Sequence, residues 1–183
     1  VVQCCEYVPE LKQPTVSIDN YTAAAETIDY LINQGHRRIA LLSADNDFIS
    51  TQQRGQGYED VLRKAGLPCG GELVALADAV YSYASGLVAA ERLLRTEPRP
   101  TAVCCVSDIL APSVISLAHD MGLRVPEDLS VTGFDDVDYT TMFHPHLTTV
   151  AQPCYEMGQV SLKILLRMLG GEQVSRTHTF LPH

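Results

Sequence analysis

The chain has 183 residues and a formal net charge of −9, from 13 basic and 22 acidic side chains. Nucleic-acid-binding modules concentrate lysine and arginine because phosphate neutralisation supplies much of their affinity, so this acidic chain is not expected to bind DNA itself. The sequence has no apolar run near the roughly 20 residues that a membrane-spanning helix needs. Its hydrophobic fraction of 46% is typical of a globular protein that buries a sizeable core.

Strand-like apolar runs and helical patterns alternate along the chain. In chain order, the predicted elements are Thr15–Ile18 (strand), Thr22–Asn33 (helix), Arg38–Leu42 (strand), Gln52–Ala65 (helix), Leu73–Ala77 (strand), Ser85–Arg95 (helix), Ala102–Val106 (strand), Ile109–Met121 (helix), Leu129–Phe134 (strand), Leu147–Ala151 (strand), Pro153–Leu169 (helix) and Thr177–Leu181 (strand). This alternation predicts an α/β fold, in which a parallel sheet carries helices on both faces and the crossovers are right-handed.

The stretch from Gly122 to Asp136, GLRVPEDLSVTGFDD, contains a helix end, a loop, a strand and the end of that strand. Gly122 stands where a helix C-terminus favours positive φ, and Pro126 prevents the helix from continuing. Asp135 and Asp136 directly follow the strand. Because ligands bind outside the carboxyl ends of the strands in open α/β sheets, this carboxylate pair is a candidate ligand-binding group.

Small polar residues also follow the other predicted strands. They are Asp19, Asn20, Ser43, Asp78, Ser107 and Asp108. The carboxyl ends of parallel strands meet at one edge of a sheet, so these side chains are expected along the same rim as Asp135. Serine, aspartate and asparagine are also preferred helix N-caps, so Asp19, Asn20 and Asp108 are interpreted first as capping or loop residues.

Four stretches of the sequence together match the pattern of one known family. They are INQGHRRIALL at 32–42, RPTAVCCVSDILA at 99–111, GLRVPEDLSVTGFDD at 122–136 and HPHLTTVAQP at 144–153. Over essentially its whole length, the chain resembles the effector-binding domain of the lactose/galactose repressor family of bacterial transcription regulators. Two further stretches, EYVPELKQPTVSIDNYTAA at 6–24 and TTVAQPCYEMG at 148–158, look most similar to the members that respond to cytidine.

The resemblance implies a periplasmic-binding-protein-like fold, with two lobes joined by three crossovers. On that basis, residues 1–18 are a partial N-terminal lobe and residues 19–150 are the C-terminal effector-binding lobe. Residues 151–175 return into the N-terminal lobe, and residues 176–183 are the final strand of the C-terminal lobe. The chain would then hold one nearly complete C-terminal lobe and part of the other lobe.

The resemblance also implies that two charged side chains bind the ligand. Asp135 matches a position at which the family accepts hydrogen bonds from ligand hydroxyls. An ionised carboxylate can accept two such bonds, which suits the vicinal diol of a ribose or a sugar. Arg54, followed by Gly57 and Tyr58 as in the family, matches an arginine that donates from its fixed fork to ligand oxygens. The structural alternative for Arg54 is an ordinary surface arginine.

Four further residues are candidates for ligand contacts, and the resemblance bears on the tyrosines. Tyr81 matches an aromatic residue that stacks flat on the ligand ring, and Tyr83 competes for this role. The alternative for Tyr81 is a packing residue outside the core. Ser107 and Gln152 are candidates for additional polar contacts. We expect no cofactor and no metal, because the histidines lack metal-ligand spacing outside His144-Pro145-His146, which is interpreted as a loop.

These observations predict a non-enzymatic sensor in a bacterial repressor. A small effector, a nucleoside such as cytidine or a sugar, would bind between the two lobes and change their closure. Operator DNA would be bound through an N-terminal helix-turn-helix headpiece outside this segment. The protein is expected to be a cytoplasmic homodimer with no membrane contact.

Two alternatives from other classes remain at this point. A periplasmic sugar-binding protein of a transport system shares the fold, and a leader peptide in the intact gene would favour it. The segment Asp136-Val137-Asp138-Tyr139-Thr140 resembles the D-x-D-x-[TV] nucleophile motif of haloacid-dehalogenase-type phosphatases. That family needs a later lysine and a second acidic cluster, whereas Lys163 lies in a predicted amphipathic helix with no acidic pair after it.

Overall fold

A computed structural model describes residues 1–138, 140, 146–175 and 177–183. Within these residues the strands form two parallel sheets. The smaller sheet has the order β1-β2-β7, from Gln3–Cys4, Thr15–Ile18 and His178–Leu181. The larger sheet has the order β4-β3-β5-β6, from Val74–Ala77, Ile39–Ala44, Ala102–Cys105 and Ser130–Thr132.

Helices flank the sheets, which confirms the predicted α/β class. They are α1 at Asn20–Asn33, α2 at Ile49–Lys64, α3 at Tyr83–Leu94, α4 at Ala111–Asp120 and α5 at Cys154–Leu169. Helix α1 packs against α2, and α3 packs against α4. Within the described part of the chain, none of the helices combines the length and the apolar character needed to cross a membrane.

The hydrophobic core lies around the larger sheet. Strands β3 and β5 are buried along their whole length, as expected for central strands of a sheet covered by helices. Each fully buried leucine or isoleucine there, such as Leu42 or Ile39, contributes roughly 1.5–3 kcal/mol. Helices α1 and α2 approach so closely that a Cβ at Gly57 would lie 2.5 Å from the Tyr21 carbonyl oxygen.

The edge of the larger sheet differs from the predicted strands. Strand β6 ends at Thr132, whereas the sequence predicted a strand to Phe134. Beyond it the backbone turns to a neighbouring segment: the Gly133 amide donates to the Thr148 carbonyl and the Asp135 amide to the Val150 carbonyl, both at 2.9 Å. The predicted strand Leu147–Ala151 is therefore extended and paired, but only through isolated bridges.

The smaller sheet corrects one of the lobe boundaries. The sequence assigned residues 1–18 and residues 176–183 to different lobes, but β7 pairs with β2 along its whole length, from Thr15 with His178 to Ile18 with Leu181. The two segments are therefore neighbours in one sheet. Among the described residues, β7 pairs with β2 and not with a strand of the larger sheet, so the final strand extends the sheet that β1 and β2 begin. The other lobe boundaries stay predictions.

Candidate functional site

The five candidate ligand-binding residues line one cavity of about 220 Å³. They are Arg54, Tyr81, Ser107, Asp135 and Gln152. Four of them follow the four strands of the larger sheet: Arg54 lies on the helix after β3, Tyr81 follows β4, Ser107 follows β5 and Asp135 follows β6. The cavity thus opens at the carboxyl ends of a parallel sheet, where such folds bind ligands.

Asp135 is held by two hydrogen bonds and a strained backbone. Its Oδ2 accepts from the Ser107 hydroxyl at 2.7 Å, and its Oδ1 accepts from the Gln152 amide at 2.6 Å. Asp135 has φ of 120° and Asp136 has φ of 55°. Residues other than glycine rarely adopt a positive φ. Such backbone strain is typically maintained at functional positions by surrounding contacts. The strained turn fixes the direction of the Asp135 carboxylate.

Arg54 is almost fully buried, with 8% exposure. Its Nε donates to Asn20 Oδ1 at 2.9 Å, and its Nη1 donates to the Val106 carbonyl at 2.6 Å. Nη1 also lies 3.5 Å from Asp135 Oδ1, and the guanidinium carbon is 3.6 Å from the centre of the Phe134 ring. Burial lowers the pKa of Arg54, and the charge of Asp135 opposes that shift. The guanidinium is therefore a charge fixed in place beside the Asp135 carboxylate.

The structure distinguishes between the two candidate tyrosines. The Tyr81 hydroxyl forms hydrogen bonds with Thr51 Oγ1 at 2.9 Å and with Asn46 Nδ2 at 3.1 Å, and its backbone has φ of 59°. Tyr83 instead begins α3, has 47% exposure and does not line the cavity. Of the two, Tyr81 has the position to contact a ligand.

Gln152 links Asp135 to the N-terminal segment of the chain. Its Nε2 donates to Asp135, and its Oε1 lies 3.7 Å from Cys5 Sγ. Burial raises the pKa of the Cys5 thiol to about 11, so the thiol stays protonated near neutral pH and can donate weakly to Gln152. The Gln152 amide is thereby oriented from both ends.

Comparison with known proteins identifies the family. A sequence model described as a periplasmic binding protein-like domain matches residues 28–183. The chain belongs to this family. Family membership agrees with the two parallel sheets, with the flanking helices and with the position of the cavity at the strand ends.

Individual relatives confirm the resemblance to bacterial transcription regulators. The HTH-type transcriptional repressor CytR of Escherichia coli K12 is 41% identical over 174 residues, which is 95% of this chain and 50% of the repressor. The crystal structure of a LacI family transcriptional regulator from Mycobacterium smegmatis has a TM-score of 0.87 and 31% identity, over 98% of this chain and 65% of that one. The chain spans about half the length of the curated relatives it matches.

One similar structure holds a bound ligand. The complex of the transcriptional regulator CelR with cellobiose has a TM-score of 0.88 and 32% identity, covering 98% of this chain and 54% of that chain. These relatives are regulators rather than enzymes. The proteins that this chain resembles thus include a transcriptional repressor, CytR, and a regulator with a bound disaccharide.

Several residues that line the cavity, or lie beside its side chains, were assigned another role or no role from the sequence. Asp19 caps α1 as expected, with its Oδ1 accepting from the Thr22 amide at 3.0 Å, but Asn20 instead holds Arg54. Cys5, Glu6 and Ser50 also line the cavity and had no local sequence signal. They arrive through contacts between distant segments, which spacing along the chain does not reveal.

Asp108 is a loop residue, and not a cavity residue, as first interpreted. Asp108 is fully buried. Its Oδ1 accepts a hydrogen bond from the Thr149 hydroxyl at 2.6 Å, and its Oδ2 accepts one from the Val137 amide at 3.0 Å. Burial raises the pKa of this carboxyl. Asp108 therefore fastens the loop after Asp135 to the edge segment that contains Thr149.

Among the described residues of the other sequence motifs, Asp136, Asp138 and His146 do not line the cavity. Within the described ranges, three or more histidine, cysteine, aspartate or glutamate residues do not cluster with the geometry of a metal site. Tyr139 of the phosphatase-like segment and the His144-Pro145 pair lie outside the described residues. A larger cavity of about 420 Å³ borders the β6 edge and includes His36 and His146, but none of the five candidate residues.

Proposed function

We propose that this chain is the effector-binding domain of a bacterial transcriptional repressor and binds its effector in the 220 Å³ cavity. The observation that carries this proposal is the convergence of Arg54, Tyr81, Ser107, Asp135 and Gln152 on that cavity from five separate parts of the chain. The similarity to CytR and to other regulators supports the same function.

The proposed effector is a nucleoside such as cytidine. An ionised carboxylate has about four lone-pair sites, so Asp135 can accept from ligand hydroxyls besides Ser107 and Gln152. A ribose diol on Asp135 would place a base near Tyr81, whose ring offers a flat surface for stacking. Arg54 would bind an acceptor oxygen of the same ligand. The 41% identity to CytR favours this chemistry over others.

A sugar is the second candidate effector. The structure of CelR with cellobiose shows that a similar regulator binds a disaccharide. A sugar presents the same vicinal hydroxyls to Asp135 and an apolar face to Tyr81. An uptake receptor for sugars would use similar contacts, and a leader peptide or a helix-turn-helix in the intact gene would separate the two.

The proposed regulator acts by binding and makes or breaks no bond. An effector shifts an equilibrium only by its different affinity for the two states, here two degrees of lobe closure. In a cytoplasmic homodimer this closure would change the spacing of helix-turn-helix headpieces on operator DNA. The chain itself, with a net charge of −9, would not contact the DNA.

A thermal-shift screen of the full-length protein tests the proposal. Ligand at ~100 times its Kd adds about 2.7 kcal/mol to the free energy of unfolding, which gives a readable shift. Cytidine is expected to stabilise the wild type and the control Asp120→Asn, whose side chain is exposed at the end of α4, but not Asp135→Asn. Shifts with cellobiose, glucose or ribose alone would replace the nucleoside by a sugar. Equal shifts in Asp135→Asn would overturn the proposed site.

A further inference from the structure

Glu6 and Tyr7 join the segment after β1 to the first turns of α2. One Glu6 carboxylate oxygen accepts from the Ser50 amide at 3.3 Å, and the other accepts a short hydrogen bond from the Ser50 hydroxyl. The Tyr7 hydroxyl accepts from Gln53 Nε2 at 3.1 Å. These contacts span more than 40 residues of sequence and connect neighbouring side chains to successive turns of one helix.

Helix α2 has no cap of its own. Its N-cap residue, Phe48, has no side-chain acceptor, and the first turn carries no acidic residue. The first amides of a helix have no partner within the helix, and a negative charge near them is stabilising. Glu6 supplies both the acceptor and the charge from a distant part of the chain.

Tyr7 is in turn held by the smaller sheet. Its ring packs edge-on against His178 of β7, with ring centres 4.8 Å apart. His178 Nε2 lies 2.7 Å from the Ser17 hydroxyl of β2. The Glu6–Tyr7 pair therefore connects two strands of the smaller sheet to α2, which belongs to the layer that covers the larger sheet.

Helix α2 carries Arg54 one turn after Ser50, and Glu6 lines the same cavity as Arg54. Both carboxylate oxygens of Glu6 already accept hydrogen bonds from the protein. We infer that Glu6 and Tyr7 form a clasp, which fixes the start of α2 and thereby positions Arg54 relative to the smaller sheet for effector binding. The part of this inference that concerns effector affinity rests on the proposed function.

Hydrogen exchange of the full-length protein without ligand tests the clasp itself. The Ser50 amide has Glu6 as its acceptor, so Glu6→Ala should speed its exchange roughly tenfold. Glu10→Ala is the matched control, because Glu10 is exposed four residues further along the same segment. Unchanged Ser50 exchange in Glu6→Ala, or the same acceleration in Glu10→Ala, would overturn the clasp.

Titration of the same variants with cytidine and cellobiose tests the positioning of Arg54. Glu6→Ala should weaken binding of the probe that the wild type accepts by roughly tenfold, and Tyr7→Phe, which keeps the ring but removes the hydroxyl, by less. In the double variant Glu6→Ala/Ser50→Ala the losses of affinity should not add, because both changes remove the same hydrogen bond between Glu6 and the Ser50 hydroxyl.

The exchange and titration experiments together distinguish a failure of the clasp from a failure of the proposed function. Wild-type affinity in Glu6→Ala, together with faster exchange at Ser50, would show that the clasp holds the helix without positioning Arg54, and would overturn the inference. Absence of binding by the wild type to any nucleoside or sugar would overturn the proposed function, while the exchange data would still decide whether the clasp exists.

Discussion

The two ends of the stretch from Gly122 to Asp136 each place an aspartate beside an arginine, with very different surroundings. At the outer end Arg124 and Asp128 form two contacts of 2.8 and 2.9 Å within one loop, and the arginine side chain is 71% exposed. At the cavity end Arg54 lies 3.5 Å from Asp135, with side-chain exposures of 10% and 23%. The shorter pair is the more solvated one.

The difference shows that distance alone does not rank ion pairs. Water screens the outer pair, which closes a local loop between residues four apart. The inner pair joins helix α2 to the segment that follows β6. Arg54 and Asp135 each form two further hydrogen bonds with other residues of the protein. Removing one member of a buried pair leaves the other member uncompensated, which is costly.

The two glycines of this stretch give the largest expected contrast. A Cβ at Gly133 would lie 2.0 Å from Asp108 Oδ1 and 2.8 Å from Leu147, so Gly133→Ala should lower the free energy of unfolding by roughly 3 kcal/mol or more. Gly122 has φ of 75° and open space around it, so Gly122→Ala should cost only about 1 kcal/mol. Urea unfolding measures both, and similar losses would contradict this difference.

Matched arginine variants test the pairs themselves. Arg54→Met removes the bonds to Asn20 and Val106 as well as the charge beside Asp135, and should lower the free energy of unfolding by about 2 kcal/mol. Arg124→Met should cause a smaller loss than Arg54→Met, because the outer pair is exposed. Chemical denaturation of the two variants under one set of conditions compares them, and a larger loss for Arg124→Met would reverse the ranking.

The smallest effect concerns the pH dependence of the outer pair. The hydrogen bond from Arg124 lowers the pKa of Asp128 from 3.8 to about 2. A carboxyl with a lowered folded-state pKa adds stability above its ordinary pKa, and this stability is lost as pH falls toward the folded-state value. Asp128→Asn should therefore lose less stability than the wild type between pH 3.8 and about pH 2.

Salt provides the control for this pH prediction. At about 1 M salt the Debye length is about 3 Å, so the difference between Asp128→Asn and the wild type should shrink. Urea unfolding at steps across the same pH range measures it. A difference that persists in high salt would mean that Asp128 acts through a contact other than its charge pair.

Local signals in the sequence located most of the fold. Alternating apolar runs placed the central strands within two residues, because β3 and β5 are buried along their whole length. The start of α2 was predicted three residues late, since Phe48 gives no capping signal and the cap comes from Glu6. Pairing of β7 with β2 was missed because it joins the two ends of the chain.

The site was predictable where a residue type and its position on a strand end sufficed. Asp135 and Ser107 follow strands, Arg54 and Tyr81 matched a family pattern, and Gln152 was a candidate for a polar contact; all five line one cavity. The supporting contacts were not predictable, because Asn20 reads locally as a helix cap and Glu6 as a loop residue. Their roles depend on partners on α2 that only the folded chain brings near.

A crystal structure of the full-length protein grown with cytidine tests the central claim most directly. The account predicts density for the nucleoside in the cavity, with its ribose hydroxyls on Asp135, an oxygen on Arg54 and its base against Tyr81. Cytidine bound elsewhere, for example in the larger cavity beside His36, would contradict the proposed site, as would an empty cavity at saturating cytidine.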